Sequence, residues 1–356
     1  MEQTAQLSVK KKRIEYIDAM RGFTMILVVF SHICVYGYGK EAVDDMVSFK
    51  NVFISFHMPL FFFISGWVLY KTERVWNWNF IKGFLTSKFM MLMVPTVFFF
   101  LLYVLVFKDA RITAEDLNAA KDGYWFTLAL FEFFLLYSLT LFFYPLKDKG
   151  WKEDIFVVAI ALWVYVLASP RKFHQEILGD WYAYLGIYNL RFYLFFCLGT
   201  LVRKYYARFN RLMDNGYIMA LVLFLFFGVA IFKEQLLALP NFSTLVFVAY
   251  GGLGTLVVLS FFWKHEASFT QETFLGRNLQ LIGRRTLDVY LMHYLFLPRH
   301  LSFIGDFFLD NPNPTLELFL SGVLALGVIF LTLVVSEILR LSPFLGHWLF
   351  GVKEKK

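Results

Sequence analysis

Eight ionisable residues lie within otherwise apolar stretches of this chain: Asp18, Arg21, His32, His57, Glu132, Arg191, Asp288 and His293. Charges and imidazoles are costly in hydrocarbon, so such residues point to function by default. Arg21 and His32 stand eleven positions apart. On an α-helix that spacing ends about 20° past three full turns, so both face one side, roughly 16 Å apart along the axis. Asp18, three residues before Arg21, falls on the same face and within pairing reach. A polar stripe thus runs from one edge of the first helix to beyond its middle. The bland alternative has Asp18 and Arg21 snorkelling to the interface and His32 as a satisfied buried histidine. Spacing alone weighs the two readings evenly.

His57 precedes Pro59 in Phe56-His57-Met58-Pro59-Leu60-Phe61. A proline near the start of a span bends it and frees a backbone carbonyl. The imidazole stands at a depth similar to that of His32, where it could relay protons or bind a hydroxyl; an interfacial histidine is the plainer alternative. Arg191 could pair with Glu132 as a structural ion pair as readily as either could serve chemistry. No His, Cys, Asp or Glu cluster has metal-ligand spacing, so no metal is expected. Cys34 and Cys197 sit inside apolar runs and read as packed thiols.

The elements that must hold these residues are membrane helices. Of 356 residues, 59% are hydrophobic and 17% charged, with mean hydropathy +0.59. A soluble domain runs nearer 45–50% apolar and about 25% charged. The net charge of +7 is dispersed between apolar segments, which argues against a nucleic-acid partner. A crossing needs roughly 20 mostly apolar residues. Ten spans are expected near 19–38, 51–70, 89–107, 124–144, 154–169, 183–202, 216–232, 242–263, 286–301 and 316–339. The fold expectation is therefore all-α and polytopic, a single membrane-embedded domain over 1–356 with its core at 10–345. With the N-terminus inside, 23 of the 34 Lys and Arg fall on inside segments and nine outside. That bias places both termini in the cytoplasm. Lys10 to Arg13 precede an apolar stretch, but Asp18 and Arg21 intrude and no cleavage motif follows, so an uncleaved first helix is expected. Polar loops are expected at 108–123 and 302–315. The Gly251-Gly252-Leu253-Gly254 cluster predicts close helix packing.

Asp18-x-x-Arg21-Gly22, Arg21-x10-His32 and the Phe56–Gly66 segment together resemble the integral-membrane acyltransferase family 3. Trp125-Phe126-x-Leu128-x-Leu130-Phe131, Arg191-Phe192-x-x-Phe195-x-x-x-Gly199 and Gly283-x-x-Thr286-Leu287-x-x-Tyr290-Leu291-x-His293 resemble later motifs of that family. Each piece is weak alone; in order, they cover nearly the whole chain. One position departs: the family often carries two basic residues before a proline in the third span, and here Lys88 precedes Pro95 while Met91 fills the second position. Lys82, Arg74 and Arg203 are the candidate substitutes.

The resemblance implies O-acyl transfer in a bacterial inner membrane. An acyl group, acetyl in the commonest case, passes from cytoplasmic acyl-CoA to a hydroxyl of a surface polysaccharide or lipid-linked sugar. His32 is then the general base, Arg21 binds CoA phosphate with Lys88 as a second contact, and Asp18 positions Arg21. His57 ranks next, for acceptor contact or proton relay, and Glu132, Arg191, Tyr290 and His293 follow. Expected partners are lipid, acyl-CoA and the glycan. Polysaccharide export is the rival reading, weakened by the lack of an internal repeat. A non-catalytic scaffold would leave the polar stripe unexplained.

Overall fold

The computed structural model describes residues 14–39, 48–72, 74–107, 114–144, 150–169, 171–179, 185–239 and 242–351. Lys10 to Arg13 and the Lys-rich tail lie outside the described residues. Among those described, every regular element is a helix. Backbone groups in hydrocarbon must pair within their own segment, and a helix does this.

Six helices are long and apolar enough to cross a membrane: α1 (Glu15–Gly37), α2 (Lys50–Leu69), α3 (Trp78–Phe107), the Gly123–Phe142 part of α4 (Ala114–Phe142), α11 (Phe242–Lys264) and α15 (Pro314–Arg340). A seventh is counted if α8 (Tyr206–Asp214) and α9 (Gly216–Ile231), bent by 81°, form one span. The other expected spans are shorter pieces. The one near 154–169 is α5 (Trp151–Ala168), whose first turn carries Glu153 and Asp154. The one near 183–202 divides into a 3-10 turn at Ile187–Phe192 and α7 (Tyr193–Lys204). The one near 286–301 is α13 (Thr286–Phe296), only 11 residues long.

Arg171–Leu178 (α6), Lys233–Ala238 (α10), Phe274–Arg284 (α12), Ser302–Asp310 (α14) and Pro343–Phe350 (α16) complete the α-helices among the described residues, and a second 3-10 turn lies at Glu266–Phe269. The loop expected at 302–315 therefore contains α14. Of the loop expected at 108–123, residues 108–113 lie outside the described residues; from Ala114 the chain is helical, with a kink at Tyr124 (φ −109°, ψ 15°). Helix starts follow capping chemistry: Asn215 accepts from the Tyr217 and Ile218 amides, and Asn313 accepts from the Leu316 amide ahead of Pro314.

The core is aromatic. Phe62 alone stacks or tilts against Trp125, Phe126, Phe133 and Phe192, with centroids 4.7–5.9 Å apart. Glycines set the closest approaches. A Cβ on Gly22 would lie 2.0 Å from the Leu279 carbonyl oxygen, and one on Gly283 would lie 1.8 Å from that of Asp18. This reciprocal contact brings α12 against the first turns of α1, so the segment before Thr286, expected as a cytoplasmic loop, is a docked amphipathic helix. Gly251 and Gly254 receive Pro59 and Phe56 of α2, the close packing their cluster predicts.

Candidate active site

The polar stripe of α1 is real, and one short helix reads it at both ends. Nη2 of Arg21 donates to Oγ1 of Thr286 at 2.9 Å, and Nδ1 of His32 lies 2.7 Å from Nε2 of His293. Thr286 and His293 are seven residues apart on α13, about two turns, so they share one face. Asp18 and Arg21 pair loosely, with 3.8 Å between Oδ1 and Nη1.

The hydrogen bonds around His293 fix both tautomers. Its Nδ1 faces two backbone carbonyl oxygens, Tyr290 at 2.7 Å and Val289 at 3.0 Å. Carbonyl oxygens only accept, so Nδ1 of His293 carries the proton and its Nε2 accepts. His32 must then donate from Nδ1, which leaves the lone pair on its Nε2. That atom is a proton acceptor by geometry, with the Tyr294 hydroxyl 3.4 Å away. In hydrolase triads a carboxylate sets the tautomer of the base; here a second imidazole, itself anchored on backbone, sets the tautomer of His32. Spacing alone could not reveal the pair, because His32 and His293 are 261 positions apart. Tyr294, the residue after the His motif, was also missed.

His32 lines a chamber of about 560 Å³ together with His57, Trp125, Arg191 and Lys233. His57 is thus in the same space as His32, its Nδ1 donating to the Phe53 carbonyl at 2.8 Å, so Nε2 is left to accept. Arg191 sits in the 3-10 turn with its guanidinium 3.6 Å from the Tyr188 ring centroid and 4.0 Å from that of Phe247. Glu132 is half-buried on α4 and lines neither this chamber nor the next. The hydroxyl of Tyr290 donates to the Gly123 carbonyl at 2.9 Å and accepts from the Phe126 amide at 3.1 Å, so it braces the kinked start of the α4 span. Asp288 belongs to an ion network with Arg285, Arg340 and Ser336.

A second chamber, of about 1160 Å³, opens around Arg21. Lys71, Arg74, Arg203 and Lys204 also line it, with Asp18 the one carboxylate among the described lining residues. Lys204 is held by Asp154 at 2.6 Å. Arg74 donates to the Leu69 carbonyl at 2.9 Å, and partial burial lowers its pKa without depriving so strong a base of its proton. The side chains of Trp67, Phe80 and Tyr206 supply flat apolar walls. Of the substitutes suggested for the missing basic residue, Arg74 and Arg203 line the chamber; Lys82 does not. Lys88 lines neither chamber and lies 4.9 Å over the Phe134 ring. Lys71 and Lys204 were not anticipated.

The two chambers share no described lining residue. Met25 and Val28 occupy the intervening turns on the same side of α1, both buried in the core. Among the described residues no group of three or more His, Cys, Asp or Glu could hold a metal ion.

Over residues 14–334 the chain matches the family model described as an acyltransferase domain, that of acyltransferase family 3. No curated protein and no solved structure matches it.

Proposed function

The chain belongs to acyltransferase family 3, and from that premise we propose that it is an O-acyltransferase moving an acetyl group from cytoplasmic acetyl-CoA to a hydroxyl of a surface polysaccharide or lipid-linked glycan. One observation carries this reading: a histidine with its Nε2 lone pair set by a second histidine stands on the same helix as an arginine lining a polybasic chamber.

The chamber around Arg21 suits CoA. Guanidinium groups match phosphate oxygens with bidentate hydrogen bonds, and flat side chains suit the adenine. The chamber around His32 takes the glycan. Transfer proceeds as the acceptor hydroxyl oxygen bonds to the acyl carbon and the carbon–sulfur bond breaks. Nε2 of His32 takes the hydroxyl proton and returns it to the departing CoA thiolate. Arg21 and His32 stand roughly 16 Å apart along α1, so the pantetheine arm must pass Met25 and Val28 to deliver its thioester.

In this reading the chain makes ten crossings of a bacterial inner membrane with both ends in the cytoplasm. The shorter helices α5, α7, α9 and α13 then cross within a wall of longer ones. The charge bias supports the orientation: Lys71, Arg74, Arg203 and Lys204 come from segments read as inside, and Lys233, beside His32, from one read as outside.

The test uses purified protein in lipid nanodiscs with labelled acetyl-CoA and glycan acceptors. Release of CoA thiol matched by labelled sugar is the expected result, reduced about 10²–10⁴-fold in His32→Ala. A folded His32→Ala protein with wild-type transfer would remove His32 as base. Glycan translocation into liposomes without acyl-CoA turnover would replace the whole reading with export.

A further inference from the structure

Helix α12, Phe274-Leu275-Gly276-Arg277-Asn278-Leu279-Gln280-Leu281-Ile282-Gly283-Arg284, turns part of its apolar surface outward. Gly276, Leu279, Gln280 and Gly283 recur at helical spacing and are buried. They fasten the helix on its inner side. A Cβ on Gly276 would lie 2.2 Å from the Thr270 carbonyl oxygen, one on Gly283 would lie 1.8 Å from that of Asp18, and the Gln280 amide donates to the Phe269 carbonyl at 2.7 Å. Phe274, Arg277, Leu281 and Arg284 recur on the other side and are exposed. Phe274 is 80% exposed, Leu275 52% and Leu281 42%. The helix cannot roll to hide them, because the glycine contacts leave no room for a side chain on the inner face.

That outward face joins two pairs. Phe274 and Leu281 stand seven residues apart, so they are nearly aligned along the axis. Arg277 and Arg284 repeat the interval and run beside them. Helix α12 contains no Asp or Glu, and among the described residues neither guanidinium has a hydrogen-bond or ion-pair partner. Arg285 differs, since it pairs with Asp288 and Glu337. An apolar stripe flanked by cations is the pattern of a helix lying in a membrane interface, with rings among the acyl chains and cations at the headgroups. The position agrees: α12 lies against the first turns of α1, the end of a helix long enough to cross a bilayer. Water on that side would hydrate a whole phenyl ring, and a neutral surface would leave both arginines without an oxyanion.

We infer that α12 is a docking site for anionic phospholipid: the Phe274–Leu281 stripe enters the leaflet at the Asp18 end of α1, and Arg277 and Arg284 bind headgroup phosphate. Guanidinium groups match phosphate oxygens with paired hydrogen bonds. A zwitterionic headgroup carries its own cation beside the phosphate, whereas an anionic one leaves that charge to the protein, so the site selects net-negative lipid. The inference needs a membrane helix bundle and holds whether or not the chain transfers acyl groups. A lipid seated there presses α12 onto α1 from outside, at the helix that leads through Arg285 to Thr286 and Arg21.

The experiment places a reporter on that face. Asn278 is exposed and lies in sequence between Phe274 and Leu281. Asn278→Cys is labelled with bimane; the native thiols Cys34 and Cys197 are buried, and protein without the substitution gives the background. The full chain is reconstituted into phosphatidylcholine vesicles holding the same small fraction of either doxyl-phosphatidylglycerol or doxyl-phosphatidylcholine, with the nitroxide at the top of the acyl chain. The expected result is quenching by both lipids, steeper for phosphatidylglycerol by about twofold or more, with the difference reduced by salt. Arg277→Gln combined with Arg284→Gln should bring the two slopes together and leave quenching by doxyl-phosphatidylcholine in place. Arg277→Lys combined with Arg284→Lys, which keeps the charge, should keep the preference. Equal slopes with both arginines present overturn the proposal, as does a preference that survives their replacement by glutamine. Quenching by neither lipid would mean that water or another protein covers the face, and overturns it too.

Discussion

His32 and His293 meet ring to ring, with their imidazole planes 5° apart, centroids 5.0 Å apart and one hydrogen bond between them. Because the far nitrogen of His293 is committed to backbone carbonyls, the pair has a direction: it holds the proton on Nδ1 of His32 and the lone pair on Nε2. His293→Phe keeps the ring and removes the acceptor. His32 then loses its tautomer preference, and kcat is expected to fall by about 10–100-fold, the usual scale for groups that orient a functional imidazole. His293→Gln, whose amide oxygen can accept from His32, should retain more activity. A kcat that is wild-type in His293→Phe would mean that the pair merely packs.

Donor binding should depend on the polybasic chamber. Each hydrogen bond from a charged group contributes about 1.5–3 kcal/mol, or roughly 10–100-fold in affinity. Arg21→Ala and Arg203→Ala are each expected to raise the acetyl-CoA dissociation constant on that scale and to reduce its salt dependence. Dephospho-CoA should lose less to one of these substitutions, identifying the side chain nearest the 3′-phosphate. Unchanged affinity in Arg21→Ala would detach Arg21 from the donor. Lys88→Ala, at a residue lying over Phe134 outside the chamber, is expected to shift affinity less than Arg74→Ala.

Val28 stands between the chambers, four residues before His32 and seven after Arg21. Enlarging it to Phe should obstruct the pantetheine arm. The expected phenotype is CoA binding within about threefold of wild type, with acetyl transfer reduced at least tenfold. Overpacking a core position costs about 1–3 kcal/mol, so Val28→Ile, with one added methylene, serves as the milder companion. If Val28→Phe folds and transfers normally, the thioester takes another route.

The α1–α12 contact gives a stability test. Gly22→Ala or Gly283→Ala places a methyl within 2.0 Å of a backbone oxygen, which only helix separation relieves. Thermal unfolding in detergent should shift down by several degrees for either, corresponding to at least 1–3 kcal/mol. Gly83→Ala, where a Cβ meets nothing within 4 Å, should be neutral or slightly stabilising. Equal thermal stability of all three variants would contradict the packing of α12 on α1.

The helical character of the chain and the stripe from Asp18 to His32 were legible because they depend on local periodicity. So did the role of Gly251 and Gly254, since small residues in an apolar run have few other uses. Crossing number was harder. Hydropathy registers an apolar stretch such as 183–202 but not the glycine at Gly186, whose left-handed backbone (φ 64°) precedes the 3-10 turn and a shorter α7. The site was half visible. His32 and Arg21 could be paired by arithmetic along one helix, whereas His293, Thr286 and Tyr294 reach them only through tertiary packing. Glu317 escaped notice entirely: it opens the α15 span, and its buried carboxylate meets Cys34 at 3.2 Å and Ser321 at 3.1 Å. A single Glu near the end of a long apolar run reads as interfacial when no partner is in view.

Helix α13 is 11 residues long and begins just past the Arg285 break from α12. Its first residue grips Arg21 and its eighth grips His32. A rod fastened at both ends to a second rod cannot tilt at one fastening without moving the other. In the acyl-transfer reading, a phosphate that drew Arg21 toward it would therefore pull, through Thr286, on the imidazole that aligns His32. In that reading, loading of the donor and readiness of the proton acceptor would then become one mechanical coordinate, with the break at Arg285 as its pivot.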